Sequence, residues 1–562
     1  MKEQVIKILE KELKGKLKKE EIEKFLEVPP SPELGDFAFP CFSLAKLEKK
    51  SPLLIAQELT EKLRKDLPKE ISNVDSKAGY INFFVNKTIL AKNVLKEVVK
   101  KGFGQKKINK KIGIEYPSPN TNKALHVGHL RNIAIGESTT NILKFNGNKI
   151  FHLNLFNDRG ILISKSILGY QMYGKGKTPQ SEKLSGDAFV GKYYVLFSKE
   201  SKDNPDLEEK AQDILRKWES GDKEIITLWN KMNNWAYEGM QKTFDKFGLS
   251  KINKNYYESE LYLKGKEIIN EGLNKQVFKK RQDGAVIINL EDEKLGEKVL
   301  LREDGTAVYM TTDLYLAKKK IDDFKLDSSY YVVGNDQIYH FQVLFTILNK
   351  LGIKKDWKHL AYGMVELPTG RMKSRDGTAI SAEEFITETQ NLAKQELEKR
   401  YKLSKQELEN RSLKIALAAV KYTLLKTDIT QSMIFNPDEA ISFEGNTGPY
   451  LLYSYARANS ITKKAAAKKK EIKIIDLKKE EISLLKKLDN FPKAVEDSYT
   501  HLAPNIIANY TFELAQQFNE FYHACPVLGN EQEAFRLELV KAFKIIIKNS
   551  LNLLGIETVE EM

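Results

Sequence analysis

Residues 111–156 constrain the fold of this chain more than any other stretch. An apolar run ends at Glu115, a Pro-rich loop follows, and apolar residues then recur at helical spacing between residues 130 and 145. A second apolar run occupies residues 149–156 after an Asn-Gly pair. This order predicts a strand, a loop, a helix and a second strand. In such a unit the helix N-terminus offers free N–H groups to an anion, and phosphate is the obvious candidate.

Two histidines, His126 and His129, flank the predicted start of that helix, with Gly128 between them. A glycine lets an imidazole ring lie against the backbone, and imidazoles can donate hydrogen bonds to a negatively charged ligand. A short motif is weak evidence by itself, because two hydrogen-bonded histidines beside a helix-start glycine would give the same pattern. The residues of the preceding loop therefore have to decide between the two interpretations.

That loop contains Ser118-Pro119-Asn120 and Lys123. Together with His126-Val127-Gly128-His129 it resembles the signature of class I aminoacyl-tRNA synthetases in the form found in arginyl-tRNA synthetases. The resemblance implies an α/β doubly wound, Rossmann-type catalytic domain that uses ATP. It also implies catalytic roles for His126, His129 and Lys123, all three of which would contact ATP together with Gly128.

The resemblance covers nearly the whole chain of 562 residues and implies four parts. Residues 1–100 form an N-terminal additional α+β domain, in which the run 30–39 is similar to the family module that contacts the tRNA elbow. A dimerisation or packing module is the alternative for this part. Residues 106–386 form the catalytic domain with an inserted segment at about 170–285, residues 387–435 a helical connecting region, and residues 436–562 a helical anticodon-binding bundle.

Further strands and helices are predicted in the second half of the catalytic part. Asp304-Gly305 is predicted to join strands at 298–302 and 307–310 as a hairpin, and Thr312 to cap the next helix. Two more passages from strand to loop to helix follow, near residues 330–337 and 359–365. Because carboxyl ends of parallel strands meet at one edge, Asn120, Asp313 and Gln337 should converge there with the 371–377 loop.

A pocket for a guanidinium group needs a carboxylate, oriented acceptors and an aromatic wall. Asp313 with Tyr309 one helical turn earlier meets this description, although a carboxylate in the first turn of a helix is also a common structural feature. Glu115 is a second possible carboxylate. The family resemblance implies an arginine pocket, and the predicted set is Glu115, Ser118, Asn120, His129, Tyr309, Asp313 and Gln337.

The loop at residues 370–377 resembles the mobile Lys-Met-Ser-Lys-Ser loop of class I synthetases but departs from it. Alignment on Met372 places Ser374 where the second lysine is usual. Many arginyl-tRNA synthetases share this loss, and the resemblance implies that Lys123 acts on the α-phosphate instead, with Lys373 or Arg375 assisting. The predicted ATP-binding set is therefore Lys123, His126, Gly128, His129, His340, Met372, Lys373 and Arg375.

The run 441–457 looks like the entry to the anticodon-binding domain of the arginyl family. Unstacked RNA bases bind aromatic rings and arginine, and lysines hold phosphates. Tyr450, Tyr453, Tyr455 and Arg457 are the predicted tRNA-binding residues, followed by a lysine-rich run at 463–470. The alternative is an aromatic helix core beside a solvated lysine run.

The formal net charge of +14 suits a polyanionic partner, although a solvated lysine-rich surface would give the same excess. Only Cys41 and Cys525 are present, so neither a zinc site nor a disulfide framework is predicted, and a reducing cytoplasmic setting is expected. No apolar run approaches the roughly 20 residues of a membrane span, and no targeting peptide is apparent. The expected partners are tRNA(Arg), L-arginine and ATP with Mg²⁺, with no protein-bound metal, and the expected state is a monomer.

Two other functions remain open at this point. A stand-alone adenylyl- or cytidylyltransferase of the same superfamily would share the chemistry, but it would not need the long helical region after residue 387. A non-catalytic tRNA-binding paralogue would tolerate the altered loop at 370–377, although His126, His129 and Asp313 are intact. We predict that the chain activates arginine with ATP and transfers it to the 3′-terminal ribose of tRNA(Arg).

Overall fold

A computed structural model of the chain describes residues 1–368, 380–465 and 472–562. The predicted ATP-binding residues Met372, Lys373 and Arg375 lie outside the described residues, as do residues 466–470 of the lysine-rich run. Two compact units are present. The first comprises Met1–Phe103, Ser460–Asn490 and Gln516–Ile546, and the second comprises Gly104–Asn459, Phe491–Ala515 and Ile547–Met562. Within the described ranges, no helix is long and apolar enough to cross a membrane.

Thirteen strands are found in the part of the chain that the structure describes. They are β1 (Phe37–Pro40), β2 (Ile71–Lys77), β3 (Tyr80–Val85), β4 (Lys111–Glu115), β5 (Lys149–Phe156), β6 (Lys254–Tyr257), β7 (Lys279–Lys280), β8 (Val286–Leu290), β9 (Gly296–Leu301), β10 (Ser328–Gly334), β11 (Asp356–Tyr362), β12 (Val365–Glu366) and β13 (Met433–Ile434).

Helices make up most of the remaining regular structure. Those before residue 250 are α1 (Lys2–Glu12), α2 (Lys19–Phe25), α3 (Phe42–Glu48), α4 (Pro52–Arg64), α5 (Lys87–Val98), α6 (Val127–Phe145), α7 (Ile161–Tyr173), α8 (Pro179–Glu182), α9 (Gly186–Asp203), α10 (Asp206–Glu219) and α11 (Lys223–Phe247). Those after it are α12 (Glu258–Leu261), α13 (Gly265–Asn274), α14 (Tyr309–Phe324), α15 (Ile338–Lys350), α16 (Ala382–Arg400), α17 (Lys405–Leu425), α18 (Pro437–Ala440), α19 (Gly448–Lys464), α20 (Lys479–Asp489), α21 (Phe491–His501), α22 (Pro504–Ala524) and α23 (Glu533–Leu553). Two short 3₁₀ segments occupy Pro32–Leu34 and Asn335–Gln337.

The second unit is built on a five-stranded parallel sheet in the order β11-β10-β4-β5-β6. From β4 the chain passes through α6 to β5 on one side, whereas from β10 it passes through α15 to β11 on the other. The direction of winding therefore reverses between β4 and β10. In open α/β sheets ligands bind outside the carboxyl ends of the strands at such a reversal. The predicted doubly wound α/β fold is confirmed.

Helix α6 is buried on nearly every side, which explains why its sequence has only a weakly one-sided apolar pattern. Gly136 admits the ring of Tyr116 against this helix, because a Cβ at that glycine would lie 2.4 Å from the ring. The Tyr116 hydroxyl then donates a 2.9 Å hydrogen bond to Glu137. The loop that follows β4 thus starts from a fixed point against α6.

The predicted hairpin around Asp304-Gly305 is wrong in its second strand and in its pairing, whereas the first predicted strand falls on β9. The hairpin that forms joins β8 to β9, and the Asp304-Gly305 turn is followed only by an isolated bridge between Leu301 and Ala307. Helix α14 begins at Tyr309 with Val308 as its cap, so the predicted cap at Thr312 is also wrong. The buried Thr311 hydroxyl donates to the Leu300 carbonyl of β9, which fixes the first turn of the helix earlier than the sequence indicates.

The first unit contains the antiparallel sheet β1-β3-β2 and helices α1–α5, an α+β module as predicted. Helix α5 packs against α20. The buried Asp36 carboxylate accepts a 2.7 Å hydrogen bond from the Val85 amide and pairs with Lys87 and Lys486. This ion-pair cluster joins the N-terminal residues to a helix from the C-terminal part.

The long helices α17, α22 and α23 bear out the predicted helical character of the C-terminal part, and Gly555, with a φ of 68°, follows the last of them. The predicted helical connecting region at 387–435 also contains one short strand, β13, which pairs in parallel with β12. The predicted domain boundaries stay predictions. Residues 460–490 belong to the same compact unit as the first 103 residues, so the spatial units do not follow the chain order.

Candidate functional site

The loop after β4 is held against the end of β5 by several hydrogen bonds. The Ser118 amide donates to Asn154 Oδ1 (3.0 Å), and the Leu155 amide donates to Ser118 Oγ (3.3 Å). The Asn157 amide donates to the Pro119 carbonyl (3.1 Å), and the Thr121 amide donates to the Asn157 carbonyl (3.2 Å). Ser118 is held with a φ of 50°, a backbone conformation that residues other than glycine rarely adopt without such support.

His126 and His129 cap the N-terminus of α6 through their Nδ1 atoms. His126 Nδ1 accepts from the Gly128 amide (3.1 Å), and His129 Nδ1 accepts from the His126 amide (3.1 Å). A neutral imidazole has one protonated nitrogen, so each ring carries its proton on Nε2. The two rings lie 4.2 Å apart between centroids. Each ring therefore keeps one N–H donor for a ligand at the helix N-terminus.

Gly128 is required by the position of the His126 ring. A Cβ at Gly128 would lie 2.9 Å from His126 Cε1, closer than real Cβ contacts. The sequence prediction that this glycine lets an imidazole ring lie against the backbone is confirmed.

Burial keeps both histidines neutral. It lowers the pKa of His126 to about 4, with a further contribution from the positive charge of Lys123. The pKa of His129 lies well below its ordinary value because of burial first, and then because of His126 and Lys123. Near pH 7 both rings are therefore uncharged hydrogen-bond donors, and Lys123 supplies positive charge beside them.

The lowered pKa of His126 predicts a pH dependence of stability. In the unfolded chain this imidazole takes up a proton near pH 6.5, whereas in the folded protein it does so only near pH 4, so acidification favours the unfolded state. We expect the free energy of unfolding to fall between pH 7 and pH 5 in the wild type. In His126→Asn this fall should be smaller by about 1–2 kcal/mol. Denaturant unfolding at both pH values measures this difference.

The control for this prediction is His523→Asn, because His523 is exposed. It should leave the pH dependence of the unfolding free energy unchanged. Equal losses in wild type and His126→Asn between pH 7 and pH 5 would contradict the prediction.

Helix α9 supports the segment between the loop and α6, a role that the sequence analysis missed. Buried Asp187 accepts a 3.0 Å hydrogen bond from the Leu125 amide, and Ser185 donates to its other oxygen at 2.7 Å. Gly191 lies so close that a Cβ there would be 3.0 Å from the Ala124 nitrogen. The signal in the sequence was the Gly186-Asp187 pair followed by Gly191 in a run that was assigned only to an insertion.

Arg131 was also missed as a positioning residue. Its side chain is fully buried, and Nη1 donates to the carbonyl of Gly363 (2.8 Å) and that of Met364 (3.3 Å). Nη2 donates to the carbonyls of Asp428 (3.4 Å) and Ile429 (3.3 Å). This arginine ties α6 to the segments that precede β12 and β13. An arginine at an inward position of an apolar helix pattern was the available signal.

A cavity of about 340 Å³ opens at the point where the winding of the sheet reverses. It lies at the carboxyl ends of β4 and β10, with α14 and α15 contributing side chains. Six of the predicted site residues meet there, and eight further residues complete the lining. The lining residues are Glu115, Ser118, Asn120, Leu155, Asn157, Asp313, Leu316, Lys320, Tyr331, Val333, Gln337, His340, Phe341 and Leu344.

The cavity has two carboxylates in different surroundings. Asp313 Oδ2 lies 2.7 Å from His340 Nε2, so His340, predicted to bind ATP, is placed beside the predicted arginine carboxylate. Buried Glu115 pairs with buried Lys320. Two residues of the predicted arginine set, Tyr309 and His129, do not line this cavity as the structure describes it. Tyr309 is 72% exposed.

The predicted tRNA-binding residues of α19 differ in their surroundings. Tyr455 is 1% exposed, and its hydroxyl donates to Glu560 at 3.1 Å, so the prediction that its ring stacks on RNA is corrected: the ring packs in the helix core. Tyr453 and Arg457 are half-buried and form a pair, with Arg457 Nη2 donating to the Tyr453 hydroxyl at 3.1 Å. Half-buried Tyr450 lies 5.8 Å from Phe512 between ring centroids.

Both cysteines are free and buried, Cys41 in the first unit and Cys525 also in the first unit. Burial raises the pKa of the Cys41 thiol to about 12 and also raises that of Cys525. Among residues 1–368, 380–465 and 472–562, no group of three or more His, Cys, Asp or Glu side chains is arranged to hold a metal ion. The two thiols are therefore packed side chains rather than reactive groups.

Three family models match successive parts of the chain. The model described as "tRNA synthetases class I (R), catalytic domain" matches residues 90–437. The model described as "Arginyl tRNA synthetase N terminal domain" matches residues 2–85, and the "DALR anticodon binding domain" matches residues 451–562.

Individual proteins match over almost the full length. An arginine–tRNA ligase of Treponema denticola is 44% identical over 558 residues, which cover 96% of this chain and 94% of that protein. An arginine–tRNA ligase of Phocaeicola vulgatus is 40% identical and covers 94% of each chain. Among solved structures, the Thermus thermophilus arginyl-tRNA synthetase superposes with a TM-score of 0.84 at 25% identity, covering 100% of this chain and 99% of that one.

Proposed function

This chain belongs to the arginine–tRNA ligase family of class I tRNA synthetases, and on that premise we propose which of its residues carry out the reaction. Its function is arginine–tRNA ligation, in which ATP activates arginine as arginyl-adenylate and the arginyl group passes to the 3′-terminal ribose of tRNA(Arg). The observation that carries the residue assignment is the cavity in which Asn120, Asp313 and Gln337 meet.

The cavity is proposed to bind arginine. A guanidinium is planar and permanently charged, and it offers several N–H donors, so it pairs best with a carboxylate and further oxygen acceptors. Asp313 supplies the main carboxylate, held by His340, and Glu115 supplies a second one. Ser118, Asn120 and Gln337 offer polar groups to the rest of the substrate.

An aromatic wall and two residues outside the cavity lining complete the proposed arginine site. The rings of Tyr331 and Phe341 line the cavity, which gives it the expected aromatic wall. Tyr309 lies one helical turn before Asp313 at the start of α14. We propose that Tyr309 contacts arginine, and that His129 contacts it from the N-terminus of α6.

ATP is proposed to bind with its phosphates at the N-terminus of α6. Activation requires in-line attack of the arginine carboxylate on the α-phosphorus, so the site must bring two anions together and stabilise charge that grows on phosphate oxygens. The Nε2–H groups of His126 and His129 can donate to those oxygens, and Lys123 adds a full positive charge. Mg²⁺ that arrives with the ATP phosphates would supply further positive charge.

Arginyl transfer needs bound tRNA(Arg). Tyr450, Tyr453 and Arg457 on α19 are proposed to contact RNA, since a half-buried ring paired with a guanidinium offers a stacking surface. The N-terminal module is proposed to contact the tRNA elbow. We further propose that the protein acts as a monomer in the cytoplasm, where its two buried thiols would stay reduced.

Both rival functions are less well supported. A stand-alone nucleotidyltransferase does not account for helices α16–α23, whose C-terminal part matches an anticodon-binding domain. A non-catalytic paralogue would have no reason to keep Asp313, His126 and the loop at 118–121 in their present arrangement.

Aminoacylation of total tRNA with each of the labelled amino acids tests the function. We expect charging with arginine only, since an acidic cavity near the α6 N-terminus would select a guanidinium. Charging with another amino acid would contradict the arginine pocket. An absence of charging with retained tRNA binding would support the paralogue instead.

A further inference from the structure

One ion pair in the arginine cavity has no place in the reaction as described so far. Lys320 lies on α14 seven residues after Asp313, which is two helical turns, so both side chains reach the same face. Its ammonium group pairs with Glu115 Oε2 on β4, and both residues are buried. The Nζ atom of Lys320 also lies 4.6 Å from the centroid of the Tyr331 ring.

Lys320 is the one lysine or arginine among the described residues that line the cavity. The charged lining groups are therefore Asp313, Glu115 and Lys320, beside an imidazole at His340. Counted for these three charged groups alone, two carboxylates and one ammonium give a formal net charge of −1. A single guanidinium neutralises this charge, and a buried charge without a counterion is costly.

The ion pair with Lys320 also determines which carboxylate oxygen of Glu115 can contact the substrate. Lys320 occupies Oε2 of Glu115, whereas Oε1 accepts no hydrogen bond from the residues that the structure describes. Oε1 is then available to accept from arginine.

We propose that Lys320 is a positioning residue that sets the specificity of the arginine cavity: it pairs with Glu115, and together with Asp313 the pair leaves a formal net charge of −1 for one guanidinium to neutralise. This inference rests on the proposed function of the cavity. It predicts that arginine affinity follows the summed charge of Glu115 and Lys320 rather than the presence of either residue alone.

The test measures KM for arginine and kcat separately by ATP–pyrophosphate exchange with tRNA present, in wild type, Glu115→Gln, Glu115→Gln/Lys320→Met and Lys320→Arg. Glu115→Gln leaves Lys320 uncompensated and the cavity neutral, so KM for arginine should rise at least about tenfold. The double variant returns the net charge to −1, so its KM should be at least about threefold below that of Glu115→Gln. Lys320→Arg keeps the charge and should stay within about threefold of wild type.

The outcomes separate the inference from the function on which it rests. A double variant with a KM equal to or above that of Glu115→Gln would overturn the inference, because a net charge of −1 would then fail to restore arginine affinity. Loss of affinity in Lys320→Arg equal to that in Glu115→Gln would overturn it as well. A wild-type protein without arginine-dependent exchange would overturn the proposed function itself.

Discussion

Replacement of Asp313 by asparagine is expected to lower kcat/KM for arginine by about a hundredfold to a thousandfold. The substitution keeps the shape of the side chain but removes its charge, and one amide donor would then face the donors of the guanidinium. Truncating one partner of a buried charged hydrogen bond costs about 2–5 kcal/mol, which corresponds to this range. ATP–pyrophosphate exchange at varied arginine concentration, with tRNA present, measures the loss.

The matched control is Asp322→Asn, an exposed aspartate on the same helix α14. It should leave kcat/KM for arginine within about twofold of wild type, since surface substitutions rarely matter. KM for ATP should change little in either variant. An Asp313→Asn enzyme with wild-type affinity for arginine would show that the guanidinium binds elsewhere.

Replacement of Lys123 by alanine is expected to lower the rate of ATP–pyrophosphate exchange by about a hundredfold or more while KM for arginine changes little. Lys123 precedes the α6 N-terminus by four residues, and its charge acts on both His126 and His129. Removing one preorganised donor to a developing phosphate charge costs about 2.7–4 kcal/mol. The exchange assay with tRNA present gives kcat and both KM values.

Lys354→Ala is the control, because Lys354 is an exposed lysine of the same unit. Lys373→Ala and Arg375→Ala, in the loop that lacks the usual second lysine, should each reduce the rate less than Lys123→Ala does. A Lys123→Ala enzyme that keeps a near wild-type rate would end the assignment of the α-phosphate role to this residue.

The catalytic centre could be predicted from sequence where local pattern and sheet geometry decide the structure. The β4-α6-β5 unit follows from apolar periodicity and from a Pro-rich loop, and these signals lie within one short stretch. Asn120 and Gln337 meet because parallel strands bring their carboxyl ends to one edge. Asp313 reaches the same cavity from α14, which follows β9 of a separate antiparallel sheet, so its position does not follow from the parallel strands.

Two features could not be predicted because they depend on contacts between residues of different helices and strands. The Lys320–Glu115 pair joins residues 205 positions apart, and no local pattern indicates it. The start of α14 depends on a hydrogen bond from Thr311 to β9, and periodicity does not report such a bond.

The direction in which a side chain points could not be predicted from the sequence either. An aromatic residue on a helix can face the core or the solvent, and only the packing of α19 shows that Tyr455 is buried against Glu560. His340 was predicted to bind ATP, and its imidazole lies 2.7 Å from Asp313 in the arginine cavity. Sequence position gave the correct edge of the sheet for His340, but not its neighbouring side chain.

We propose that the acidic cavity at the winding reversal of the sheet binds the guanidinium of arginine beside the ATP phosphates. A crystal structure of the protein with arginine and a non-hydrolysable ATP analogue tests it most directly. We expect guanidinium nitrogens about 2.7–2.9 Å from the Asp313 carboxylate, with the α-phosphate near the Nε2 atoms of His126 and His129. A guanidinium bound outside the cavity, away from Asp313, would contradict it.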